Sequence, residues 1–164
     1  MTQKNHVQLI DIFNEYHKNN NNSVLMLIGQ GPLMDTIKNK VNSLDLDDCV
    51  MFLGQKDNVN EYYNAMDLFL FPSLYEGLGM VLIEAQTNGL PCVVSSEVPS
   101  IAKVSKKFQF ISLKVKLDTW IEIIKLFSLQ ERENATKQIA VSGFDINNET
   151  SKLEEYLEKR SSDE

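Results

Sequence analysis

Apolar residues along this chain fall into short solid runs, separated by stretches where they recur at helical spacing. Residues 24–28, 50–53, 67–71 and 92–95 are unbroken or nearly unbroken apolar runs. Such runs, bounded by Gly, Pro, Asn or Asp, read as strands buried on both faces. Residues 108–112 form a weaker fifth strand. Between the runs the pattern changes period. Leu9, Ile10, Phe13 and Tyr16 share one face of a helix over 6–18. After the turn Gly29-Gln30-Gly31-Pro32, a second helix carries Leu33, Ile37, Val41 and Leu44 on one stripe. Residues 59–65 form a short helix. Another begins at Gly79 and ends at Gly89-Leu90-Pro91. Residues 117–127, 131–141 and 149–159 read as three further helices. Strands alternating with helices predict an α/β domain, a doubly wound Rossmann-like parallel sheet with flanking helices. The domain is expected over 1–160, with 161–164 a frayed tail. There is no internal repeat and no low-complexity linker.

The stretch between the third strand and its helix carries the candidate chemistry. Pro72 to Gly79 is a turn-rich loop at the carboxyl edge of a parallel sheet, where open α/β sheets bind their ligands. Gly77 and Gly79 let a ligand approach the backbone. The unpaired N–H groups of a helix start favour an anion such as phosphate. Glu76 precedes the helix and Glu84 lies within it, with seven residues between them. Five residues of helix rise about 7–8 Å, so the two carboxylates can bracket a ligand roughly a diphosphate long. Carboxylates accept hydrogen bonds well from vicinal hydroxyls. A nucleotide-sugar has that shape.

Bulk properties narrow the field. A chain of 164 residues predicts one domain with a real core. A net charge of −7 argues against a nucleic-acid surface and against a basic membrane-docking face. No apolar run approaches the ~20 residues of a membrane helix, and no signal-peptide core is visible. Cys49 and Cys92 fall at or in strands and read as reduced core thiols of a cytosolic protein. Gly29 and Gly31 could suggest a dinucleotide loop, but Met34 stands where the third glycine belongs. Asp45-Leu46-Asp47 spells a metal-binding D-x-D on the wrong sheet edge, so no metal is expected there. His6 and His17 lack ligand partners at metal-site spacing. Tyr62, Tyr63 and Trp120 read as packing residues.

Several segments together resemble one family. Glu76-Gly77-Leu78-Gly79 followed by Glu84-Ala85 resembles the E-x7-E signature of retaining GT-B glycosyltransferases of the GT4 family. Gln3-Lys4-Asn5-His6, Leu27-Ile28-Gly29-Gln30-Gly31-Pro32-Leu33 and Val50-Met51-Phe52-Leu53-Gly54 look like further segments of that family. So do Met66-Asp67-Leu68-Phe69-Leu70-Phe71-Pro72-Ser73 and Gly89-Leu90-Pro91-Cys92-Val93-Val94-Ser95. Gly143-Phe144-Asp145-Ile146 is similar to members that make bacterial surface polysaccharides. Each motif alone is weak, but they occur in order over nearly the whole chain.

The resemblance implies one half of a GT-B fold, the donor-binding half. Its donor is a nucleoside-diphosphate-sugar substrate, with no cofactor and no metal. Its acceptor is a sugar or lipid-linked hydroxyl. Glu76 would contact the donor sugar and Glu84 the ribose. The backbone of Gly77, Leu78, Gly79 and Met80 would receive the phosphates. Lys4 would balance the leaving diphosphate. Gly29, Gly31 and Gln55 would lie against the donor. The family domain opens with a strand that precedes the position of Met1 and sits inside the sheet, between 24–28 and 67–71. The resemblance therefore expects a fragment or a split enzyme lacking that first strand, with an N-terminal domain supplied in cis or in trans. The sheet is expected either to close over the gap or to borrow a strand. The expected location is the cytoplasm, at the membrane's inner face through the other half. The rival readings are a GT-B-like sugar-nucleotide epimerase and a non-catalytic nucleotide-sugar-binding half.

Overall fold

The computed structural model describes residues 2–162. A short 3₁₀ turn at Thr2–Lys4 leads into α1 (His6–His17), β1 (Leu25–Ile28), α2 (Met34–Ser43), β2 (Val50–Gly54) and α3 (Val59–Ala65). Then follow β3 (Phe69–Phe71), α4 (Met80–Thr87), β4 (Cys92–Ser95), β5 (Phe108–Ile111), α5 (Leu117–Ser128), α6 (Thr136–Ile139) and α7 (Ile146–Ser162). All strand pairs among the described residues are parallel, as βαβ crossovers require.

The strands do not form one continuous sheet. Among the described residues β1 pairs with β2, and β3, β4 and β5 pair in that order, with no pairing between β1 and β3. The sheet neither closes over the position of the missing strand nor borrows one among the described residues, contrary to expectation. Helix α1, rather than a strand, holds the two parts together. Its Ile10 and Phe13 pack with Ile37, Val41 and Val50 on the β1–β2 side. Its Ile12 packs with Val93, Ile111, Trp120 and Ile124 on the other.

β4 is the centre of the larger sheet, and all four of its residues are buried. Strand side chains alternate between faces. Cys92 and Val94 join Leu82 and Ala85 of α4 on one face. Val93 joins the α5 residues Trp120 and Ile124 on the other. Helices therefore cover both faces, the reason these strands read as solid apolar runs. Both cysteines are buried and free, and burial pushes their thiols up from the ordinary value.

The stretch 131–141 departs from its helical pattern. Only Thr136–Ile139 is α-helical, followed by a π-type turn and Gly143 in the left-handed region. The reason is Arg132. Its guanidinium donates to the carbonyls of Asn88, Tyr63, Asn64 and Met66, at 2.6–2.9 Å. These carbonyls are at the ends of α3 and α4, where backbone acceptors lack helical partners and a cation is favoured. Glu133 N–H also donates to Gly89 carbonyl at 3.1 Å. The segment is thus drawn out to clamp two helix ends. α7 runs through to Ser162, further than expected. The remainder of the expected tail, 163–164, lies outside the described residues.

Candidate nucleotide-sugar site

The loop after β3 is fixed from the far end of the sequence. Gln3 carbonyl accepts from Leu74 N–H at 2.8 Å, and the Gln3 amide donates to Tyr75 carbonyl at 3.1 Å. Asn5, in the left-handed region, donates from its side chain to Pro72 carbonyl at 3.1 Å. These bonds seat Lys4 against the loop. Lys4 Nζ lies 2.8 Å from Glu76 Oε1 and 4.6 Å from the centre of the Phe71 ring. The Glu76 side chain is 6% exposed, that of Lys4 36%. A carboxylate so buried needs its partner. The ammonium keeps donors beyond the one engaged with Glu76.

Gly79 forms the entrance to α4. It is left-handed, with φ 72°, and its carbonyl accepts from Leu82 N–H at 2.8 Å. A Cβ added there would meet Leu82 Cδ1 at 3.2 Å and Glu76 Cγ at 3.9 Å. Glycine therefore lets the loop fold Glu76 against the helix mouth. No side chain caps that mouth, so its first N–H groups point outward without a capping acceptor. Gly77 is exposed and Leu78 half-buried, while Met80 is exposed beside them.

One turn further on, exposed Glu84 accepts from Tyr63 Oη at 3.1 Å. Burial, with the Glu84 charge and this hydrogen bond added, pushes the Tyr63 phenol well above its ordinary value. Tyr63 is therefore a fixed donor that aims the carboxylate. It is not mere packing, as its sequence context suggests. The orientation of α4 is set from behind by Gln86. This fully buried amide donates to Leu82 and Ala102 carbonyls and accepts from Val104 and Ser105 N–H, at 2.8–2.9 Å. All its capacity is used. Gln86 could have been suspected as an amide on the apolar side of a helix, whereas nothing in the polar stretch around Tyr63 sets it apart from Tyr62.

A second concavity opens at the ends of β1 and β2. It has a volume of about 640 Å³ and is lined by Gln30, Gly31, Met34, Lys38, Phe52 and Gly54. Gly29 N–H donates to Gly54 carbonyl at 2.7 Å, joining the two loops. Lys38 Nζ stands 5.8 Å from the Phe52 ring centre. Gln55 follows Gly54 and is exposed at the rim. The structure thus gathers Lys4, Glu76, Gly79 and the start of α4 into one cradle, with Glu84 on the next turn. Gly31 lines a separate concavity, and Gly29 adjoins it through its bond to Gly54. Among the described residues no hydrogen bond or ion pair joins the two.

Parallel strands, covering helices and loops gathered at strand ends define an open α/β domain. The chain belongs to the family Glycosyl transferases group 1, which matches residues 1–140. It is 32% identical over 148 residues to the glycosyltransferase-type protein EpsF of Bacillus subtilis (strain 168), covering 87% of this chain and 38% of that one. It is 28% identical over 141 residues to the UDP-Gal:alpha-D-GlcNAc-diphosphoundecaprenol alpha-1,3-galactosyltransferase of Escherichia coli, covering 81% and 36%. The chain thus spans a little over a third of the length of these curated relatives. Among solved structures, TarM is similar at a TM-score of 0.78 and 21% identity, over 96% of this chain and 32% of that one. Anabaena Alr3699/HepE, solved in complex with UDP, is similar at 0.75 and 20%, over 97% and 46%. The fold is that of one part of a GT-B glycosyltransferase.

Proposed function

We propose that the chain is the donor-binding domain of a retaining GT4-type hexosyltransferase acting in cell-surface polysaccharide biosynthesis. It takes a sugar from a nucleoside-diphosphate-sugar to an acceptor hydroxyl on a sugar or lipid-linked carrier. The domain works in the cytoplasm, at the inner face of the membrane, and uses neither metal nor cofactor. The observation that carries this reading is the Lys4–Glu76 pair set beside the uncapped mouth of α4. Diphosphate oxygens take the N–H groups of Gly77 to Met80 and the outward face of the Lys4 ammonium. Glu76 accepts from the donor-sugar hydroxyls. Glu84, aimed by Tyr63, accepts from the ribose. Gly29, Gly31 and Gln55 border the rest of the donor. As the nucleoside diphosphate leaves, negative charge builds on its oxygens. The fixed cation and helix mouth stabilise it there. Catalysis requires an acceptor-binding domain to bring the hydroxyl into line.

Calorimetry with UDP-, GDP- and ADP-sugars on the folded chain tests this. One nucleotide class is expected to bind, and Glu84→Ala to weaken it. A cooperatively melting sample that gives no heat with any of the three would refute the assignment. A second reading, a non-catalytic half completing a partner chain, draws support from the span of the chain relative to EpsF. It is distinguished by donor binding that persists without turnover when an acceptor domain is added.

A further inference from the structure

The clamp at Arg132 reaches through the fold to the donor side. Its guanidinium donates from Nη1 to Asn88 carbonyl and from Nη2 to Tyr63 carbonyl, both at 2.7 Å. Asn88 caps the end of α4, and its Nδ2 donates back to Glu84 carbonyl at 2.8 Å. Tyr63, in the last turn of α3, donates from Oη to Glu84 Oε2 at 3.1 Å. These four residues close a ring that runs from Arg132 through Asn88, Glu84 and Tyr63 and back to Arg132. The ring holds Glu84 twice, once by its backbone and once by its carboxylate. Tyr63 occupies one carboxylate oxygen and leaves the other for a ligand.

The far side of the ring is built to stay in place. Nη2 also faces the carbonyls of Asn64 and Met66, at 2.9 and 2.6 Å. One planar cation thus gathers the carboxyl ends of α3 and α4, where positive charge is favoured. An exposed charge held only by a surface ion pair contributes little. Arg132 is exposed, but it has four carbonyl acceptors. Its neighbours fix it further. Glu133 N–H donates to Gly89 carbonyl, and Glu133 Oε2 accepts from Lys106 N–H, both at 3.1 Å. Ala135 and Ile139 are buried with Ile83 of α4. The segment therefore straps α4 to α3 and to the approach to β5. α3 has seven residues, too few to hold its own axis without such support.

We propose that Arg132 is a positioning residue for the donor: through Tyr63 and Asn88 it sets where Glu84 presents its carboxylate to the ribose hydroxyls. The inference rests on the donor reading given above. Arg132 makes no ligand contact in this role. Releasing it lets α3 move away from α4, and Tyr63 then no longer meets Glu84. A carboxylate free to rotate binds vicinal hydroxyls less well, because its rotamer must be ordered on binding. The loss falls on the ribose contact. The mouth of α4 is held separately, by Gly79 and by buried Gln86, so its phosphate contacts are spared.

The probes are UDP, GDP and ADP, each compared with its 2′,3′-dideoxy analogue by calorimetry on the 164-residue chain. One ribonucleotide is expected to bind about tenfold more tightly than its analogue, the range of a charge-assisted hydrogen bond. Arg132→Ala is expected to shrink that ratio to about threefold or less by weakening the ribonucleotide alone. Arg132→Lys keeps the cation but loses the fork. It is expected to lower the ratio less, and it decides the matter should Arg132→Ala fail to fold. Equal weakening of ribonucleotide and analogue, or an unchanged ratio in a cooperatively melting variant, would overturn the proposal. A ligand-free readout separates it from the donor reading. The carbon-13 signal of the Glu84 carboxyl group is expected to move in Arg132→Ala in the same direction as in Tyr63→Phe. A signal that stays at the parent position overturns the positioning role. If no nucleotide binds the parent chain, the donor reading fails, and the Glu84 signal still decides whether Arg132 aims that carboxylate.

Discussion

Lys4 Nζ and Glu76 Oε1 meet at 2.8 Å although 72 positions separate them in sequence. One contact thus fixes the start of the chain to the central loop and gives a buried carboxylate its counter-ion. Replacing Lys4 with Met strips that partner from a carboxylate that is 6% exposed. Stability is expected to fall by about 1–3 kcal/mol, the cost of leaving such a group unsatisfied. Glu76→Gln keeps the shape and removes the charge. It is expected to weaken nucleotide-sugar binding by about tenfold to a hundredfold, the range for a charge-assisted hydrogen bond. Chemical denaturation and calorimetry read the two effects. In the double variant the stability losses are expected to be less than additive.

Tyr63→Phe removes one hydroxyl and little volume. The ring still packs in its cluster with Leu82 and Val94, so melting is expected to shift little. Glu84 loses the donor that aims it. Donor affinity is expected to fall by about threefold to tenfold, the range of one net hydrogen bond. A variant that melts normally and binds the donor as tightly as the parent chain would contradict the positioning role.

Two glycines are irreplaceable for different reasons. At Gly79 an Ala side chain meets a flexible Leu82 methyl, but φ is 72°. About 1–2 kcal/mol of stability is expected to go, with donor binding, because the helix mouth shifts. At Gly89 the added Cβ falls 2.6 Å from the Glu133 carbonyl. Backbone cannot yield there as a side chain can, so Gly89→Ala is expected to cost more than Gly79→Ala and to free the Arg132 clamp. Thermal melts of both variants and of Arg132→Ala rank the three.

His6 gives a pH dependence. Burial, reinforced by nearby positive charge including Lys4, pulls its imidazole below the ordinary value. The unfolded chain therefore takes up the proton first as pH falls. Stability is full above about pH 6.5 and declines below it. His6→Gln is expected to flatten the melting temperature between about pH 5 and 7. An unchanged acid slope would remove His6 as its source.

Much of this architecture could be read from spacing. The apolar runs mark four strands plainly, as in β4, which is covered on both faces, while β5 shows more weakly because its Gln109 faces outward. The segment around Glu76 declares itself through glycine, proline and acidic residues outside any period. What could not be read were relations made by single long-range bonds. Residues 131–141 have helical spacing, yet Arg132 is held by four carbonyls from two other helices, and no local pattern reports them. Tyr62 and Tyr63 look alike in sequence. Only the second turns toward Glu84. The missing strand between β1 and β3 follows from the resemblance, but the expected closing of the sheet over it does not occur, and neither the open edge nor its roofing by α1 could be read from the sequence.

Chemical-shift mapping on the labelled chain, titrated in turn with UDP-glucose, GDP-mannose and ADP-glucose, tests the donor cradle most directly. One of the three is expected to move the amides of Gly77 to Met80 together with those of Lys4 and Glu84. Shifts confined elsewhere, or no shifts with any of the three at millimolar concentration, would contradict it.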